Sequence, residues 1–572
     1  MASIVEPQPL EPPARRRPAF PHPGTRFEII PEPYEPEYTG ETEQGAAVRT
    51  SLFMLLCLVV FGVVAAVYIA SMTGNLSVEG DNAVYIILAK AMATGHGYTN
   101  IQGPIPRVET QYPFVFPLML LPIVRSFGVD AVLQMQMLVT GFALASFVAG
   151  VFLFRRWLSS GLLALAIMLA TAESDLVWSF SHKVLTEIPY LFFTLLACLG
   201  VTRYAKQEHW RTWVGLFTAL AAVVAFLTRT IGISMCAAIP LFLLFGPPLR
   251  LRGVDWRMRI GKAVATSLVM LILAGGWTVR NRIMFSGKGH NYIGQFFLKQ
   301  AYVPDAGSVN STGLVDRMSA NTSYYATQFQ RMIGGHFWDK VPFQSTLAHA
   351  LLLITVLGFC YALIMRRTVA EFYVIGYVLI VLLWPWQDLR FAVPLMPFLF
   401  YYIALVISVP MMVLSRITPI NPRVAAAMVL IPITIPTGVH TFHIAKTDRE
   451  AGYHYQLDRL GEWPAYADWR DFHSAALWLK SHAQPGSTVI NRSPNLFYLW
   501  TGLSSRNYSY TFDTSAVLRD MSSEHNDYVI VDDFRWTYTT DIYLKPVIRR
   551  FANRFVLLKR FHKTAIYRVA PR

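Results

Sequence analysis

Two carboxylates stand beside long apolar runs in this sequence of 572 residues, and both could do proton chemistry. Asp81 lies just beyond the apolar run 51–70, and Glu187 opens the run 188–201. A carboxylate costs roughly 2.5–3.5 kcal/mol at the centre of a membrane helix and less near the interface. Two acids at the same membrane edge therefore predict a site, where a carboxylate could take the proton of a reacting hydroxyl.

Three arginines lie at the ends of other apolar runs, on the same predicted side of the membrane as the two acids. They are Arg229, Arg280 and Arg390. The positive-inside rule disfavours arginine on that side, so their presence needs a reason. A guanidinium group binds phosphate through two parallel hydrogen bonds and stabilises charge that develops there. These arginines could therefore hold a phosphate group.

Each of these residues also has a purely structural explanation. Asp81 precedes a helical pattern, where aspartate is a favoured N-cap. Glu187 could form an i,i+4 pair with Lys183 on a helix surface, worth a few tenths of a kcal/mol. The arginines could extend their side chains toward lipid headgroups. At the level of sequence, both kinds of explanation stay open.

The composition is that of a membrane protein. Hydrophobic residues make up 54% of the chain, charged residues make up 15%, and the mean hydropathy is +0.38. The net charge of +15 reflects basic residues in short loops between apolar runs, which fits control of topology better than nucleic-acid binding. The four cysteines all lie within apolar runs and predict neither a disulfide framework nor a zinc site.

The sequence indicates no definite cofactor. A divalent metal is conceivable, but four histidines of the predicted outer regions lack the spacing of a metal site: His96, His182, His290 and His336. The sequence has neither a P-loop nor a dinucleotide-binding motif, which argues against an ATP-driven pump.

About eleven apolar runs are long enough to cross a membrane, which takes about 20 residues or somewhat fewer. Each predicted inner loop carries a basic cluster, so the positive-inside rule agrees at every crossing. This pattern predicts a multi-pass protein of the inner or plasma membrane, with a cytoplasmic N-terminus and an outer C-terminus. The predicted spans are 51–70, 132–154, 158–172, 187–201, 213–227, 231–245, 263–277, 347–364, 372–386, 391–414 and 424–440.

The same patterns divide the chain into three predicted domains. Residues 1–50, rich in Pro, Glu and Arg, should form a disordered cytoplasmic tail. Residues 51–446 should form a transmembrane domain with large outer loops at 72–130 and 278–346. Residues 447–572 should form a soluble α/β domain outside the membrane. Its predicted elements are a helix at 469–482 and strands at 488–491, 528–531 and 565–569.

The first outer loop contains two apolar segments that do not look like ordinary spans. Residues 82–94 have apolar residues at helical spacing, which predicts a helix lying on the membrane surface. Residues 113–127 are apolar but broken by Pro117 and Pro122, so this segment either lies on the membrane or enters it without crossing.

Five short motifs occur in order along the predicted transmembrane domain. In the first, Asp81 follows the first span, Tyr85 comes four residues later, and Gly97-Tyr98 and Tyr112-Pro113 follow. The others are 181–189 with Lys183 and Glu187, 227–232 with Arg229, 276–281 with Arg280 and 388–397 with Arg390, and the tail adds 494–499 and 527–532. Together the motifs resemble the C-type membrane glycosyltransferases, in the branch of protein O-mannosyltransferases and aminoarabinose transferases. The resemblance covers most of residues 50–572.

The resemblance implies a polytopic α-helical membrane enzyme of C-type glycosyltransferase architecture, with an extracytoplasmic C-terminal α/β domain. Such an enzyme would move a sugar, with inversion, from a polyprenyl-phosphate donor to a hydroxyl of a lipid, glycan or protein, and would also contact membrane lipids. The residues implied are Asp81 as general base, Glu187 as an orienting group for a sugar, Arg390, Arg280 and Arg229 as ligands of the donor phosphate, and Tyr85, Tyr112 and Lys183 as substrate contacts.

The sequence departs from the family pattern in the first motif. Many relatives carry a second acid directly after the aspartate, whereas here Asn82 follows Asp81 and Glu79 stands two residues before it. The Trp-Trp-Asp motif of oligosaccharyltransferases is absent, which argues against N-glycan transfer.

Two other functions compete with the enzyme. A membrane transporter or lipid flippase would more often show repeated halves and helices broken at mid-membrane, and the sequence indicates neither. A non-catalytic scaffold would not need acids at the positions of Asp81 and Glu187.

Overall fold

A computed structural model describes residues 43–78, 80–247, 256–285, 292–334, 343–415, 420–452, 467–523 and 526–570. Residue contacts divide the chain into two units, Met1–Thr50 and Ser51–Arg572, and the architecture below is that of the second unit. The predicted disordered tail falls almost entirely outside the described residues, as do Glu79, His290 and His336.

The described chain is mostly helical. Apolar stretches favour helices because a backbone in hydrocarbon must satisfy its own hydrogen bonds. In chain order the α-helices are α1 (Glu43–Ala70), α2 (Asn82–Ala93), α3 (Val115–Phe127), α4 (Val132–Leu158), α5 (Gly161–Glu173), α6 (Asp175–Ser181), α7 (Glu187–Ala205), α8 (Trp213–Thr228), α9 (Ile233–Phe245), α10 (Trp256–Met284), α11 (Tyr292–Phe297), α12 (Ser311–Thr327), α13 (Phe329–Gly334), α14 (Gln344–Tyr361), α15 (Val369–Leu383), α16 (Met396–Leu414), α17 (Pro422–Gly452), α18 (Ala467–His482), α19 (Pro494–Thr501), α20 (Thr514–Ser523) and α21 (Lys545–Arg550).

Seven of the described helical segments are long and apolar enough to cross a membrane, and the number rises to eight if α5 and α6, which meet at a bend of 68°, form one broken span. The seven are Thr50–Ala70, Val132–Leu158, Glu187–Ala205, Trp256–Met284, Ser345–Arg366, Leu389–Leu414 and Pro422–His443. The chain is therefore an integral, multi-pass membrane protein. Three further predicted spans fall on α8, α9 and α15, which are apolar but shorter than 18 residues, so the expected count of eleven is not confirmed.

Buried tyrosines connect the helix core to the turn that precedes α16. Tyr190 of α7 and Tyr373 of α15 are fully buried, and their hydroxyl oxygens lie 3.2 Å apart. Tyr377 of α15 is also fully buried and donates to the backbone carbonyl of Phe391 at 2.8 Å. A buried hydroxyl without a partner would destabilise the fold, so these bonds matter. The bond from Tyr377 holds the 3₁₀ turn Leu389–Leu395 against α15, and the Tyr190–Tyr373 bond joins α7 to α15.

Helix α2 is buried on nearly all of its faces, unlike a helix that lies on a membrane surface. Ile86 and Ala89 pack into the core of the apolar helices, whereas Ala83 packs with Trp469 of α18. The apolar spacing at 82–94 therefore correctly predicts a helix. The spacing does not reveal, however, that the C-terminal region packs on the face of α2 that a surface helix would expose to water.

The C-terminal region is an α/β layer built on a five-stranded sheet with the strand order β4-β3-β5-β7-β6. Strands β4, β3 and β5 are parallel, and β5, β7 and β6 are antiparallel. The sequence predicts three of these strands and the helix α18, but not β4 or β6. The strands of the chain are β1 (Thr99–Asn100), β2 (Arg107–Val108), β3 (Thr488–Ile490), β4 (Ser504–Arg506), β5 (Asn526–Val531), β6 (Phe555–Phe561) and β7 (Thr564–Val569).

The first long loop joins the edge of this sheet. Strands β1 and β2 pair as a small antiparallel hairpin after α2. Beside this hairpin, the backbone carbonyl of Gln102 accepts the N–H of Ser505 in the edge strand β4 at 2.7 Å. The loop therefore satisfies a backbone donor that the edge strand would otherwise present to solvent.

Candidate active site

Asp81 lies at the first position before α2, yet its carboxylate does not cap that helix. Gly80 precedes it with φ +80°, a left-handed conformation that glycine adopts without strain. The Asp81 side chain makes no cap hydrogen bond, and the hydroxyl of Tyr112 donates instead to its Oδ1 at 2.9 Å. The capping explanation is thus insufficient, because the carboxylate faces the first loop and not the helix backbone.

The second oxygen of Asp81 faces an arginine from the turn before α16. Arg390 Nη1 lies 3.4 Å from Asp81 Oδ2, and Arg390 Nε lies 3.1 Å from Asp388 Oδ2. Asp388 also accepts the backbone N–H of Arg390 at 2.9 Å, which fixes the start of the 3₁₀ turn. The Arg390 side chain is only 22% exposed. It is therefore engaged by two carboxylates and does not extend freely toward headgroups.

Glu187 and Arg229 form a second, more deeply buried pair. Arg229 Nη1 lies 2.5 Å from Glu187 Oε1, and the Glu187 side chain is 1% exposed. Arg229 also donates to Thr186 Oγ1 at 3.1 Å. The chain reverses directly after Arg229, at Gly232, where a Cβ would lie 2.6 Å from the backbone nitrogen of Phe226. A surface pair with Lys183 does not describe a carboxylate buried in this way.

The two pairs meet at one aromatic side chain. The Phe391 ring lies 5.7 Å from the Arg229 guanidinium and 5.3 Å from the Arg390 guanidinium. Such contacts are favourable because the ring face is electron-rich. Arg390 is also within electrostatic range of Glu187 and Arg229. The fold thus brings four of the predicted charged residues to one end of the helices, which we call the Asp81 end.

Tyr112 is well placed to keep Asp81 as the acceptor of its hydrogen bond. Its ring contacts the rings of Tyr85 at 5.5 Å and Tyr292 at 6.4 Å. Burial, together with the nearby charge of Asp81, raises the pKa of Tyr112 well above its ordinary value. The hydroxyl therefore keeps its proton and remains a donor to Asp81. Of the predicted substrate contacts, Tyr112 and Tyr85 thus lie beside the carboxylate.

Arg280 supports the loop that carries Tyr112. It donates to the backbone carbonyl of Glu109 and to Asn281 Oδ1, and its guanidinium lies 4.8 Å from the Trp277 ring. The carboxylate of Glu109 in turn accepts the backbone N–H of Tyr112 at 3.1 Å. Burial raises the pKa of Glu109, although these backbone bonds oppose that change. Arg280 is therefore linked to Asp81 through the loop and has no direct contact with it among the bonds that the described residues show.

Lys183 lies in the turn between α6 and α7, with its ammonium 4.7 Å from the Phe180 ring. Sequence reasoning did not assign three residues that the site uses: Asp388, Glu109 and Tyr292. Asp388 stands within a recognised motif two residues before Arg390, so its spacing could have indicated a partner. Nothing in the local sequence marks Glu109 or Tyr292, because their contacts come from distant elements.

No cluster of three or more His, Cys, Asp or Glu side chains that could hold a metal ion occurs in the part of the chain that the structure describes. His182 has its two ring nitrogens 2.9 Å and 2.8 Å from the backbone carbonyls of Trp178 and Tyr68. His96 Nδ1 lies 2.9 Å from Thr94 Oγ1. These two histidines thus have polar partners within the protein.

No protein-family model and no curated protein matches this sequence. Its fold, however, is similar to several solved structures. ArnT from Cupriavidus metallidurans bound to undecaprenyl phosphate has a TM-score of 0.53 at 11% identity, over 90% of this chain and 98% of ArnT. The apo state of ArnT gives 0.52 at 12% identity, over 91% and 98% of the two chains.

An oligosaccharyltransferase from Archaeoglobus fulgidus, tethered to an acceptor peptide with an NVT sequon, has a TM-score of 0.54 at 11% identity, over 89% of this chain and 73% of its own. At such identities the likeness shows the fold alone. It extends over both the apolar helices and the C-terminal α/β region, as the sequence predicts. The chain therefore shares its fold with ArnT and with this oligosaccharyltransferase.

Proposed function

We propose that this protein is a membrane glycosyltransferase that moves a sugar from a polyprenyl-phosphate donor to an acceptor hydroxyl. The observation that carries the proposal is the Asp81 carboxylate, held by Tyr112 at 2.9 Å and Arg390 at 3.4 Å at one end of the apolar helices. ArnT, which shares the fold, has been solved with undecaprenyl phosphate, which supports a lipid-linked phosphate as the donor class.

Asp81 is the proposed general base. As the acceptor oxygen bonds to the anomeric carbon, Asp81 takes the proton of that hydroxyl, and the bond between the anomeric carbon and the phosphate oxygen breaks. The phosphate leaves with the electron pair and remains on its lipid. Attack opposite the leaving group inverts the anomeric centre. Tyr112 keeps the carboxylate oriented, because its hydroxyl holds one of the two oxygens.

Arg390 is the proposed ligand of the donor phosphate, because its guanidinium can bind a tetrahedral anion bidentately as charge develops on the leaving group. Arg229 contacts the same Phe391 ring, but its charge is balanced by Glu187. If that pair opens, Arg229 would contact the phosphate and Glu187 would orient a sugar. Arg280 would reach the phosphate only if it leaves Glu109. Tyr85 and Lys183 are proposed to contact the substrate from α2 and the turn before α7.

We place the Asp81 end and the C-terminal region on the extracytoplasmic side, and the N-terminus in the cytoplasm. The alternation of basic loops along the sequence supports this orientation. It also supports the division into a tail at 1–50, a transmembrane domain at 51–446 and an outer domain at 447–572. A transporter or flippase is not favoured, since an oligosaccharyltransferase is among the solved structures with this fold.

The test is to incubate the purified full-length protein in lipid with labelled polyprenyl-phosphate pentoses and hexoses and to follow transfer of the label. Asp81→Asn keeps the size of the side chain but removes its basicity, so turnover should fall roughly 10²–10⁴-fold. Asp130→Asn is the control, because Asp130 is an exposed acid that follows α3 in the same loop region. Near-normal turnover in a folded Asp81→Asn variant would contradict the proposal.

A further inference from the structure

Six aromatic side chains form a continuous path that starts at Asp81 and ends in the C-terminal region. Successive ring centroids lie 6.4, 5.9, 5.5, 6.1 and 6.2 Å apart. The first ring belongs to the tyrosine that donates to Asp81, and the last is 45% exposed. We call this series the aromatic path; in order, its members are Tyr112, Tyr292, Trp384, Trp386, Tyr302 and Trp536.

The far end of the aromatic path lies where the C-terminal sheet should bind a ligand. Strand β3 has β4 on one side and β5 on the other, so the chain changes direction across the sheet between β3 and β5. In sheets of this kind, ligands bind beyond the carboxyl ends of the parallel strands at such a point. Arg492 follows β3 by two residues, and Asp532 directly follows β5.

Arg492 is buried at this point with one of its N–H donors unused. It is 9% exposed, and its Nε has no hydrogen-bond partner among the described residues. Its guanidinium lies 4.4 Å from the Trp536 ring, 5.4 Å from Tyr302 and 5.6 Å from Tyr510. Ring contacts stabilise a cation but leave its N–H donors unsatisfied. A buried guanidinium with an unused donor, set between rings of the aromatic path, indicates a ligand with oxygen acceptors.

We propose that the aromatic path and Arg492 bind a glycan acceptor, with successive sugar residues lying along the rings and the reacting hydroxyl at Asp81. This inference rests on the proposed glycosyltransferase function and names the acceptor as a carbohydrate. A sugar ring has an apolar C–H face that packs on an aromatic ring, and hydroxyl oxygens at its edge that accept hydrogen bonds. A lipid chain would use the rings but not the donor of Arg492.

The aromatic path also crosses from the second long loop to the C-terminal region, and a long acceptor would have to contact both. Tyr302 belongs to the second long loop, and its backbone carbonyl accepts the Tyr543 hydroxyl of the C-terminal region at 3.1 Å. In the same way Asp305 Oδ2 accepts the backbone N–H of Phe512 at 2.8 Å. These bonds fix the loop against the C-terminal region, so the rings of Tyr302 and Trp536 are preorganised for one ligand.

The experiment measures binding of manno- and arabino-oligosaccharides to the full-length protein in lipid by titration calorimetry. The expected result is that tri- and pentasaccharides bind more tightly than monosaccharides. Trp536→Ala should weaken pentasaccharide binding about tenfold, and Trp536→Phe should restore part of it. The matched control is Tyr538→Ala, because Tyr538 is 71% exposed two residues away and is not in the aromatic path. Arg492→Gln should weaken binding as well.

The outcomes separate this inference from the proposed function. If the protein transfers labelled sugar but long oligosaccharides bind no better than monosaccharides, or Trp536→Ala binds like Tyr538→Ala, the glycan path is wrong and the enzyme stands. If oligosaccharides bind through Trp536 while no polyprenyl-phosphate sugar is consumed, the proposed enzyme is wrong; the aromatic path is then a carbohydrate-binding surface, and its assignment to an acceptor is overturned. A serine-rich peptide is titrated in parallel, and binding of that peptide in place of the sugars would also overturn the glycan path.

Discussion

Arg390 is shared between two carboxylates that hold it differently. Asp388 Oδ1 accepts the backbone N–H of Arg390 at 2.9 Å, and Asp388 Oδ2 forms an ion pair with Arg390 Nε at 3.1 Å. Asp81 contacts only Nη1, at 3.4 Å. Since the Asp81 contact is longer and involves a single nitrogen, an arriving phosphate should replace Asp81 before Asp388. In the proposed enzyme, donor binding would thereby free the Asp81 carboxylate from its ion pair when the acceptor hydroxyl needs a base.

We expect Arg390→Lys to weaken binding of the lipid-phosphate donor and Arg390→Ala to weaken it more. Lysine keeps the charge but loses the planar pair of donors that matches a phosphate. A titration of polyprenyl-phosphate sugar against the purified variants measures this effect. Arg107→Lys serves as the control, since Arg107 lies on the exposed strand β2. Unchanged donor affinity in Arg390→Ala would remove Arg390 from the site and favour Arg280 and Arg229.

At the scale of elements, the pair of Glu187 and Arg229 joins the first residue of α7 to the residue that follows α8. The contact is short, at 2.5 Å, and both side chains are largely buried. A buried pair gains little net stability over apolar residues, but loss of one partner leaves an uncompensated charge. The pair should therefore behave as a unit when it is mutated.

Glu187→Gln and Arg229→Gln should each destabilise the protein by about 3–5 kcal/mol, whereas the double variant should recover much of that loss. Thermal unfolding of the natural chain, the two single variants and the double variant in one detergent gives the coupling free energy between Glu187 and Arg229. Arg519→Gln breaks an ion pair whose partners are 65% and 55% exposed, and it should change stability by less than about 1 kcal/mol. Additive losses in the double variant would show that the two residues do not depend on each other.

The end of β5 carries a carboxyl group whose titration affects stability. Burial raises the pKa of Asp532 from 3.8 to about 6, although the bonds from Phe534 and Thr540 and the charge of Arg492 oppose this change. The folded protein thus binds a proton that the unfolded chain releases. Stability from this group is fully present below about pH 4 and is lost as the pH rises to about 6, on the order of 2–3 kcal/mol.

Asp532→Asn stays neutral at every pH, so the variant should gain stability relative to the natural chain as the pH rises. We expect the difference in melting temperature, variant minus natural chain, to be larger by a few degrees at about pH 7.5 than at about pH 4.5. Any cost of the amide to the bonds with Thr540 and Phe534 should be the same at both values. A difference that does not change with pH would contradict the raised pKa.

For the whole molecule, the sequence predicts the fold class because long apolar runs and basic loops are local signals. It also predicts that Asp81, Arg390, Glu187 and Arg229 belong to one site, since each stands at the predicted outer end of an apolar run. It cannot predict which charges pair. Glu187 pairs with Arg229, which is 42 positions away, and Asp81 pairs with Arg390 only after the helices pack.

Strands β4 and β6 could not be predicted from the sequence for a similar reason. Strand β4 is only three residues long and polar, and β6 lacks strict alternation, so neither has the pattern of a half-buried strand. Their pairing with β3 and β7 comes from the rest of the sheet. The burial of α2 was likewise missed because the layer that covers it begins more than 370 residues later in the chain.

The orientation of the molecule is tested with reporter fusions after Arg367 and after Arg572. Basic clusters mark the inner loops, so a reporter after Arg367 should lie in the cytoplasm and one after Arg572 outside. Alkaline phosphatase and green fluorescent protein report the two compartments in opposite ways. If both fusions report the same side, the proposed orientation and the extracytoplasmic site are wrong.

The position of α2 beneath the C-terminal region makes the order of synthesis matter. The ribosome makes Lys90 more than 400 residues before Tyr498, whose hydroxyl lies 3.1 Å from the Lys90 ammonium. It likewise makes Gln102 about 400 residues before Ser505, which donates to the Gln102 carbonyl. Closing so long an intervening chain is slow compared with forming single helices. The helix that Asp81 begins is therefore covered only when translation is nearly complete. A polypeptide terminated before residue 467 would insert its apolar helices but leave bare the face of α2 that packs on Trp469, a surface that quality-control proteases can recognise.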